Sequence, residues 1–148
     1  MAADRKSIFL GDLSPQEAYD LVRQTPSTLI VDVRTDAELA FVGGADMPAE
    51  GGSVTHIEWS SFPSGAVNPS FVGQVAAAAQ ERGADTVLFI CRSGARSLQA
   101  AHAVAAEAPE GLARVFNVSE GFEGGHDAQG RRGQVSGWKA RGLPWRQG

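Results

Sequence analysis

Residues 86–97 read TVLFICRSGARS, and this stretch decides the fold because a hydrophobic strand passes through a short loop into a helix. The run from Thr86 to Ile90 is rich in apolar and β-branched residues, which predicts a strand buried on both faces of a sheet. From Ser97 onward, apolar residues recur at steps of three and four, which predicts a helix. A buried strand followed by a helix is the repeating unit of α/β domains with a parallel sheet.

Similar units lie on both sides of this stretch. Ser14, Pro15 and Glu17 have the spacing of a capping box and predict the start of a helix. Thr35 and Glu38 repeat that spacing before a second, short helix. Further strands are predicted at 29–33, 53–57 and 114–118. Further helices are predicted at 36–42, at 69–82 and from residue 97 onward, and Asn68 and Pro69 are expected to cap the helix at 69–82. The alternation predicts an α/β fold class, with a central, mainly parallel sheet flanked by helices on both faces.

Length and composition are those of one globular domain. The chain has 148 residues, 43% of them hydrophobic and 20% charged, so we expect a single domain over 1–148. Its core is predicted over about 8–120, where strands and helices alternate. A glycine-rich C-terminal extension over about 121–148 follows, with seven glycines between Gly121 and Gly142. We expect Trp138 and Trp145 to anchor this extension on the core.

Charge, hydropathy and cysteine content exclude several partners. The formal net charge is -4, which lacks the positive excess that phosphate-backbone binding requires, so no nucleic-acid partner is expected. The longest apolar runs have five residues, against about 20 for a membrane span, so no membrane association is expected. A single cysteine, Cys91, permits no internal disulfide and indicates a reducing, cytoplasmic location.

The loop CRSGAR at 91–96 combines a nucleophile with the features of an anion site. In a strand-to-helix loop, backbone N–H groups and the positive end of the helix dipole face the same space, and they bind an anion or a thiolate there. Arg92 and Arg96 add positive charge, and Gly94 lets the backbone approach closely or adopt a positive φ. A free cysteine is usually buried packing, but two arginines and a glycine beside it have no packing purpose. We therefore expect Cys91 to be a thiolate nucleophile at neutral pH.

Three motifs, in order, make the chain resemble the rhodanese family. The loop CRSGARS resembles the rhodanese active-site loop, and LIVDVRTDAEL at 29–39 resembles the N-terminal signature, with Asp-x-Arg and a following Glu. The segment GWKARGLP at 137–144 resembles the C-terminal ending of the family. One departure is the extra segment 123–137, which delays Trp138; a lid over the active site and a solvated loop are equally compatible with its length.

The resemblance implies a rhodanese-like fold and a role for each matching residue. The catalytic residue that it implies is Cys91. Ser97, a supporting residue, stands at the predicted start of the helix, and independently of the resemblance we expect its hydroxyl to cap that helix. In the family, the residues that match Asp32, Arg34 and Glu38 mainly brace the loops around the site through ion pairs. The substrate-binding cradle that the resemblance implies is formed by Arg92, Ser93, Gly94, Ala95 and Arg96.

The activity implied by the resemblance is thiosulfate sulfurtransfer through a cysteine persulfide. The partners are a small anionic sulfur donor and a thiol or cyanide acceptor, with an acceptor protein as a further possibility, and no metal or organic cofactor is expected. Arg92 and Arg96 favour the doubly charged thiosulfate over 3-mercaptopyruvate, which carries a single carboxylate.

Two other functions remain open at this point. One is a non-enzymatic sulfur-relay or binding module, which would use the same persulfide as a carrier. The more distant one is a cysteine phosphatase or arsenate reductase, which also places a thiolate and an arginine in an anion cradle. Phosphatase loops resemble Cys-x5-Arg, whereas Cys91 and Arg96 form Cys-x4-Arg, a cradle too tight for phosphate.

Overall fold

A computed structural model describes residues 7–47 and 53–147 of the chain. Within these two ranges, no helix has both the length and the apolar character of a membrane span. The strands are β1 (Phe9–Leu13), β2 (Thr28–Asp32), β3 (Gly44–Ala45), β4 (Ser53–His56), β5 (Thr86–Ile90), β6 (Arg114–Val118) and β7 (Trp145–Arg146). The helices are α1 (Pro15–Gln24), α2 (Asp36–Val42), α3 (Phe71–Arg82) and α4 (Ala95–Glu107).

The main sheet consists of five strands in the order β1-β6-β5-β2-β4. Every neighbouring pair in it is parallel, so the carboxyl ends of β2, β5 and β6 meet at one edge of the sheet. Parallel α/β sheets place their binding sites at this edge. A separate antiparallel pair, β3 and β7, ties the end of the chain to the residues after α2.

Two hydrophobic cores cover the two faces of the sheet. Both β2 and β5 are buried at every residue, and their side chains alternate between the faces because successive residues of a strand point to opposite sides. One core packs α3 and α4 against Val31 and Phe89. The other packs α1 and the C-terminal extension against Ile30 and Leu88. The prediction of an α/β fold with helices on both faces is confirmed.

Two predicted helix starts are wrong. The helix α4 begins at Ala95 with Gly94 as its N-cap, so Ser97 lies within the first turn and does not cap it. The Gly94 carbonyl accepts the first helical hydrogen bond from the Leu98 N–H at 3.2 Å, because the φ of +107° at Gly94 turns the chain into the helix early.

The start of α3 shifts in the other direction. This helix begins at Phe71, after Ser70, and not at Pro69 as predicted. The side chain of Asn68 accepts a hydrogen bond from the Ser70 N–H at 3.0 Å and forms a turn before the helix. Asn68 and Pro69 therefore belong to this turn, and the predicted start was two residues too early.

The glycine-rich extension is packed onto the sheet. Trp138, the predicted anchor, is fully buried, and its indole N–H donates to the Pro144 carbonyl at 2.7 Å. Trp145, the second predicted anchor, is half-buried in β7. Gly137 allows the chain to pass close to itself, because a Cβ atom there would lie 2.6 Å from the Gly124 nitrogen. The extension thus contributes side chains to one of the two cores.

We predict that Trp138→Ala lowers the free energy of unfolding by about 3 to 5 kcal/mol, because it leaves a large cavity in the core under the extension. Urea denaturation of the whole chain measures this change. The control is Val135→Ala in the same extension, whose side chain is 55% exposed and whose loss changes stability by less than about 0.5 kcal/mol. Equal effects of the two substitutions would show that the extension is not part of the core.

Candidate active site

Cys91 lies directly after β5, where the strand ends and the loop to α4 begins. Its side chain is almost fully buried, with 1% of its surface exposed. The Sγ atom accepts a hydrogen bond from the Gly94 N–H at 3.1 Å and lies 3.2 Å from the hydroxyl oxygen of Ser97. A backbone N–H aimed at sulfur from a helix N-terminus stabilises a thiolate.

Backbone hydrogen bonds from the extension fix the orientation of the loop. The Phe122 N–H donates to the Cys91 carbonyl at 2.8 Å, and the N–H groups of Glu123 and Gly124 donate to the Arg92 carbonyl at 2.9 and 3.0 Å. In a trans peptide, the carbonyl of one residue and the N–H of the next point in opposite directions. The N–H groups of Arg92 and Ser93 therefore point away from the extension.

Several loop N–H groups are available to a ligand. In the described part of the chain, the N–H groups of Arg92, Ser93, Ala95 and Arg96 have no hydrogen-bond acceptor. Ala95 and Arg96 lie in the first turn of α4, where N–H groups lack intrahelical partners. Together with the helix dipole they provide an anion cradle.

Two glycines are required for this loop to close. Gly94 has a φ of +107°, and a Cβ atom there would clash with the Ser119 carbonyl at the end of β6. Gly121 has a φ of +70°, and its Cβ atom would lie 2.6 Å from the carbonyl groups of Cys91 and Arg92. A side chain at either position would push the loop away from the segments that orient it.

Arg96 is engaged by Glu38 of α2. Its Nη1 and Nη2 atoms donate to the two carboxylate oxygens of Glu38 at 2.7 and 2.8 Å. Burial alone would raise the pKa of Glu38, but the hydrogen bonds and charge of Arg96 and the hydrogen bonds from Thr35 outweigh it and lower this pKa to about 2. The pKa of Arg96 is raised, most of all by its hydrogen bonds to Glu38. The charges of Glu38, Cys91 and Asp32 add to this rise, while burial opposes it.

Arg92 is exposed at an open cleft of about 570 Å³. Two arginines and two glutamates face the cleft, so its formal charges cancel. Phe62, in the loop after β4, is 85% exposed at the same cleft, so it does not form the core lid that aromatics in such a loop usually form. The lining residues are Thr35, Ala37, Glu38, Val42, Ser60, Ser61, Phe62, Pro63, Gly65, Arg92, Arg96 and Glu123.

Asp32 and Arg34 form a buried ion pair at the end of β2. Arg34 is fully buried, and its Nε and Nη2 atoms donate to the Asp32 carboxylate at 2.9 and 2.7 Å. Nη2 also donates to the Gly43 carbonyl at 2.7 Å, and the guanidinium lies 4.6 Å from the centre of the Phe122 ring. Neither residue lines the cleft. The pair connects β2 to the end of α2 and to the extension beneath the loop.

The structure thus gives the predicted site residues different positions. Gly94 and Ser97 contact the Cys91 sulfur, Arg92 lies at the cleft, and Arg96 is paired with Glu38. Ser93 is half-buried and Ala95 is exposed, and both belong to the site through their backbone. The pair Asp32 and Arg34 lies outside the cleft.

One buried polar residue at this site was not singled out by the sequence. Asn117, near the end of β6, is 2% exposed, and its amide oxygen lies 2.6 Å from the Ser97 hydroxyl. The only signal in the sequence is an amide side chain inside the apolar strand RVFNV. Such a residue needs a buried partner, but the partner is not identifiable from the strand alone.

Comparisons with known proteins agree with this arrangement. A sequence model described as "Rhodanese-like domain" matches residues 14–128. The crystal structure of Rv0390 from M. tuberculosis has a TM-score of 0.81 at 42% identity, with 95% of this chain and 99% of that chain covered. An uncharacterized protein of Rickettsia prowazekii is 30% identical over 141 residues, which cover 93% of this chain and 98% of the relative. These matches confirm the resemblance that the three motifs predicted.

A more distant solved structure shares the fold. The solution structure of the polysulfide-sulfur transferase homodimer from Wolinella succinogenes has a TM-score of 0.54 at 22% identity. The match covers 93% of this chain and 78% of the Wolinella succinogenes chain. At this identity the similarity describes the backbone architecture.

We predict that Glu38→Gln lowers the free energy of unfolding by an amount that depends on pH. The folded-state pKa of Glu38, about 2, is below its ordinary value of 4.5, so the Glu38 carboxylate stabilises the fold fully above about pH 4.5 and loses this effect as pH falls toward 2. The difference in unfolding free energy between wild type and variant, measured by urea denaturation over this range, should shrink as the solution becomes acidic. Glu107→Gln, at an exposed glutamate on α4, is the control and should show no such trend. A constant difference down to pH 2 would contradict the ion pair.

Proposed function

The chain belongs to the rhodanese-like domain family, and from this membership we propose that it is a thiosulfate sulfurtransferase that carries sulfane sulfur as a persulfide on Cys91. The acceptor is cyanide or a thiol. The single observation that carries this proposal is the surroundings of the Cys91 sulfur: one N–H donor on the Sγ atom, and further unpartnered N–H groups in the adjoining loop. These groups stabilise a sulfur anion, which both the thiolate and the persulfide are.

The first half-reaction forms the persulfide. The Cys91 thiolate attacks the outer sulfur of thiosulfate, an S–S bond forms to Sγ, and the bond between the two sulfurs of the donor breaks. Sulfite leaves with the electron pair of that bond, and the negative charge of the thiolate passes to the terminal sulfur of the persulfide. The free loop N–H groups provide donors for this terminal sulfur.

The second half-reaction returns the thiolate. Cyanide or a thiolate acceptor attacks the terminal sulfur, and the bond between this sulfur and Sγ breaks. With cyanide the product is thiocyanate, and the electron pair of the broken bond returns to Cys91. The Gly94 N–H, which donates to Sγ, stabilises this leaving thiolate.

Arg92 is the guanidinium that best fits a role in donor binding. Glu38 occupies both terminal nitrogens of Arg96, whereas Arg92 is exposed at the cleft and forms no ion pair within the described residues. Thiosulfate carries two negative charges and 3-mercaptopyruvate a single carboxylate, so a cationic cradle favours thiosulfate. Arg96 then acts mainly as a link between α2 and α4 and adds charge behind the loop.

We predict that Cys91→Ser abolishes sulfur transfer and leaves the fold intact, because a hydroxyl of similar size cannot form a persulfide. Mass spectrometry of the wild type after incubation with thiosulfate should show one added sulfur, and cyanide should remove it as thiocyanate. Residual activity in the variant would contradict the mechanism. A persulfide that forms but is not released to cyanide would favour a relay module instead, and hydrolysis of a phosphate ester would favour a phosphatase.

We predict that Arg92→Ala lowers kcat/KM for thiosulfate about tenfold, because it removes a charge-assisted contact that solvent partly screens. The effect on 3-mercaptopyruvate should be smaller, so the preference of the wild type for thiosulfate narrows. Steady-state assays with both donors measure this. Arg82→Ala removes an exposed arginine of α3 outside the cleft and serves as the control. An equal decrease in kcat/KM for both donors would show that Arg92 does not distinguish donors by their charge.

A further inference from the structure

Four polar side chains form a chain from the protein surface to the Cys91 sulfur. The exposed Asp12 of β1 accepts a hydrogen bond from the amide nitrogen of Asn117 at 3.0 Å. The amide oxygen of Asn117 lies 2.6 Å from the Ser97 hydroxyl, which lies 3.2 Å from the Cys91 sulfur. Parallel pairing of β1 with β6 places Asp12 directly beside Asn117.

The orientation of the Asn117 amide follows from its neighbours. Its Nδ2 atom faces two groups that can only accept, the Asp12 carboxylate at 3.0 Å and the Gly94 carbonyl at 3.4 Å. In the opposite orientation, the amide oxygen would face these two oxygens without a proton between them. The Asn117 oxygen is therefore fixed toward Ser97, where it can only accept.

Ser97 has one hydroxyl proton and two neighbours that compete for it. The 2.6 Å distance to the Asn117 oxygen requires this proton, because an amide oxygen cannot donate. The Ser97 oxygen then presents a lone pair to Cys91 and accepts from the thiol S–H. When Cys91 is a thiolate, the hydroxyl can donate to sulfur only by turning away from Asn117, which leaves a buried amide oxygen unpartnered.

We propose that Asn117 is a positioning residue, which competes with the Cys91 sulfur for the single hydroxyl proton of Ser97. This inference rests on the proposed function, since it assigns the proton that would stabilise Cys91 as attacking and leaving thiolate. The competition prevents Ser97 from stabilising the anion in full. An anion that is held too strongly is a weaker nucleophile, so the competition keeps Cys91 reactive toward the donor.

Charged groups also lie near Cys91, and a substitution at Asn117 changes none of them. The charge of Arg96 from α4 interacts with that of Cys91. Arg92 follows Cys91 in the loop, Asp32 of β2 is paired with Ile90 just before it, and Asp12 of β1 contacts Asn117. A shift in the thiolate population of an Asn117 variant therefore reports hydrogen bonding and not a lost charge.

The experiment measures the ratio of thiolate to thiol in full-length protein at neutral pH, with no sulfur donor present. Cys91 is the sole cysteine, so the ultraviolet absorbance of the thiolate, taken against Cys91→Ser, gives this ratio directly. We expect Asn117→Ala to raise the ratio about threefold to tenfold, because the Ser97 hydroxyl is then free to donate to sulfur. In the double variant with Ser97→Ala, the ratio should equal that of Ser97→Ala alone.

Two results distinguish this role from a merely structural one: whether the thiolate-to-thiol ratio rises or falls in Asn117→Ala, and whether the change requires the Ser97 hydroxyl. If Asn117 only supports the Gly94 carbonyl and β1, its loss loosens the loop and lowers the ratio, and this result would overturn the proposal. A gain that persists in the Ser97→Ala background would overturn it as well, because the effect would not pass through the hydroxyl.

A second variant covers the case in which Asn117→Ala does not fold. Asp12→Asn changes an exposed residue and removes the carboxylate, which is the closer of the two acceptors of the Asn117 nitrogen. Only the Gly94 carbonyl at 3.4 Å then holds the amide in place, so the Asn117 oxygen is held toward Ser97 less strongly. Loss of the Asp12 charge raises the ratio equally with or without the Ser97 hydroxyl. An additional gain seen only with Ser97 present supports the proposal, and equal gains in the two backgrounds overturn it. If the wild type forms no persulfide, the proposed function is refuted. The thiolate-to-thiol ratios can still be measured in that case, because their measurement uses no sulfur donor.

Discussion

The backbone hydrogen bonds between the C-terminal extension and the Cys91 loop are the constraint on which the site depends. They hold the carbonyls of Cys91 and Arg92 toward the extension, and the N–H groups that follow are thereby turned the other way. Gly121 makes the close approach possible, and Trp138 anchors the segment that supplies the donors. The extra segment 123–137 therefore begins with residues that bind the active-site loop. Stability of the extension and geometry of the cradle are coupled through these bonds.

Charge around the site is largely paired. Asp32 with Arg34 and Glu38 with Arg96 form two ion pairs, each of which connects elements that end near the loop. The Asp32–Arg34 pair is buried, and breaking it on one side would leave an uncompensated charge, so this pair resists rearrangement of the end of β2. Arg92 is the exposed cation beside them. Anion binding thus depends on N–H groups and one arginine more than on a strongly positive cleft.

Much of the fold and the position of the nucleophile follow from local patterns. The strand at 86–90, the short helix at 36–42 and the strand at 114–118 agree residue for residue with the structure, because each depends on hydrophobic runs and caps within a few positions. The strand β1 was not predicted, because its sequence FLGDL contains a glycine and is only half-buried. It forms a strand because β6 pairs with it. The pair of β3 and β7 has the same origin, since two residues have no periodicity.

By itself, the sequence determined that Cys91 directly follows a buried strand, that its loop contains a glycine, and that the domain is α/β. The tertiary structure alone decided the partners of the polar groups. Arg96 meets a glutamate 58 residues away, and Ser97 points to Asn117 and Cys91 instead of capping its helix. Periodicity and caps are properties of neighbouring residues, whereas these contacts exist only because parallel pairing brings distant strand ends to one edge of the sheet.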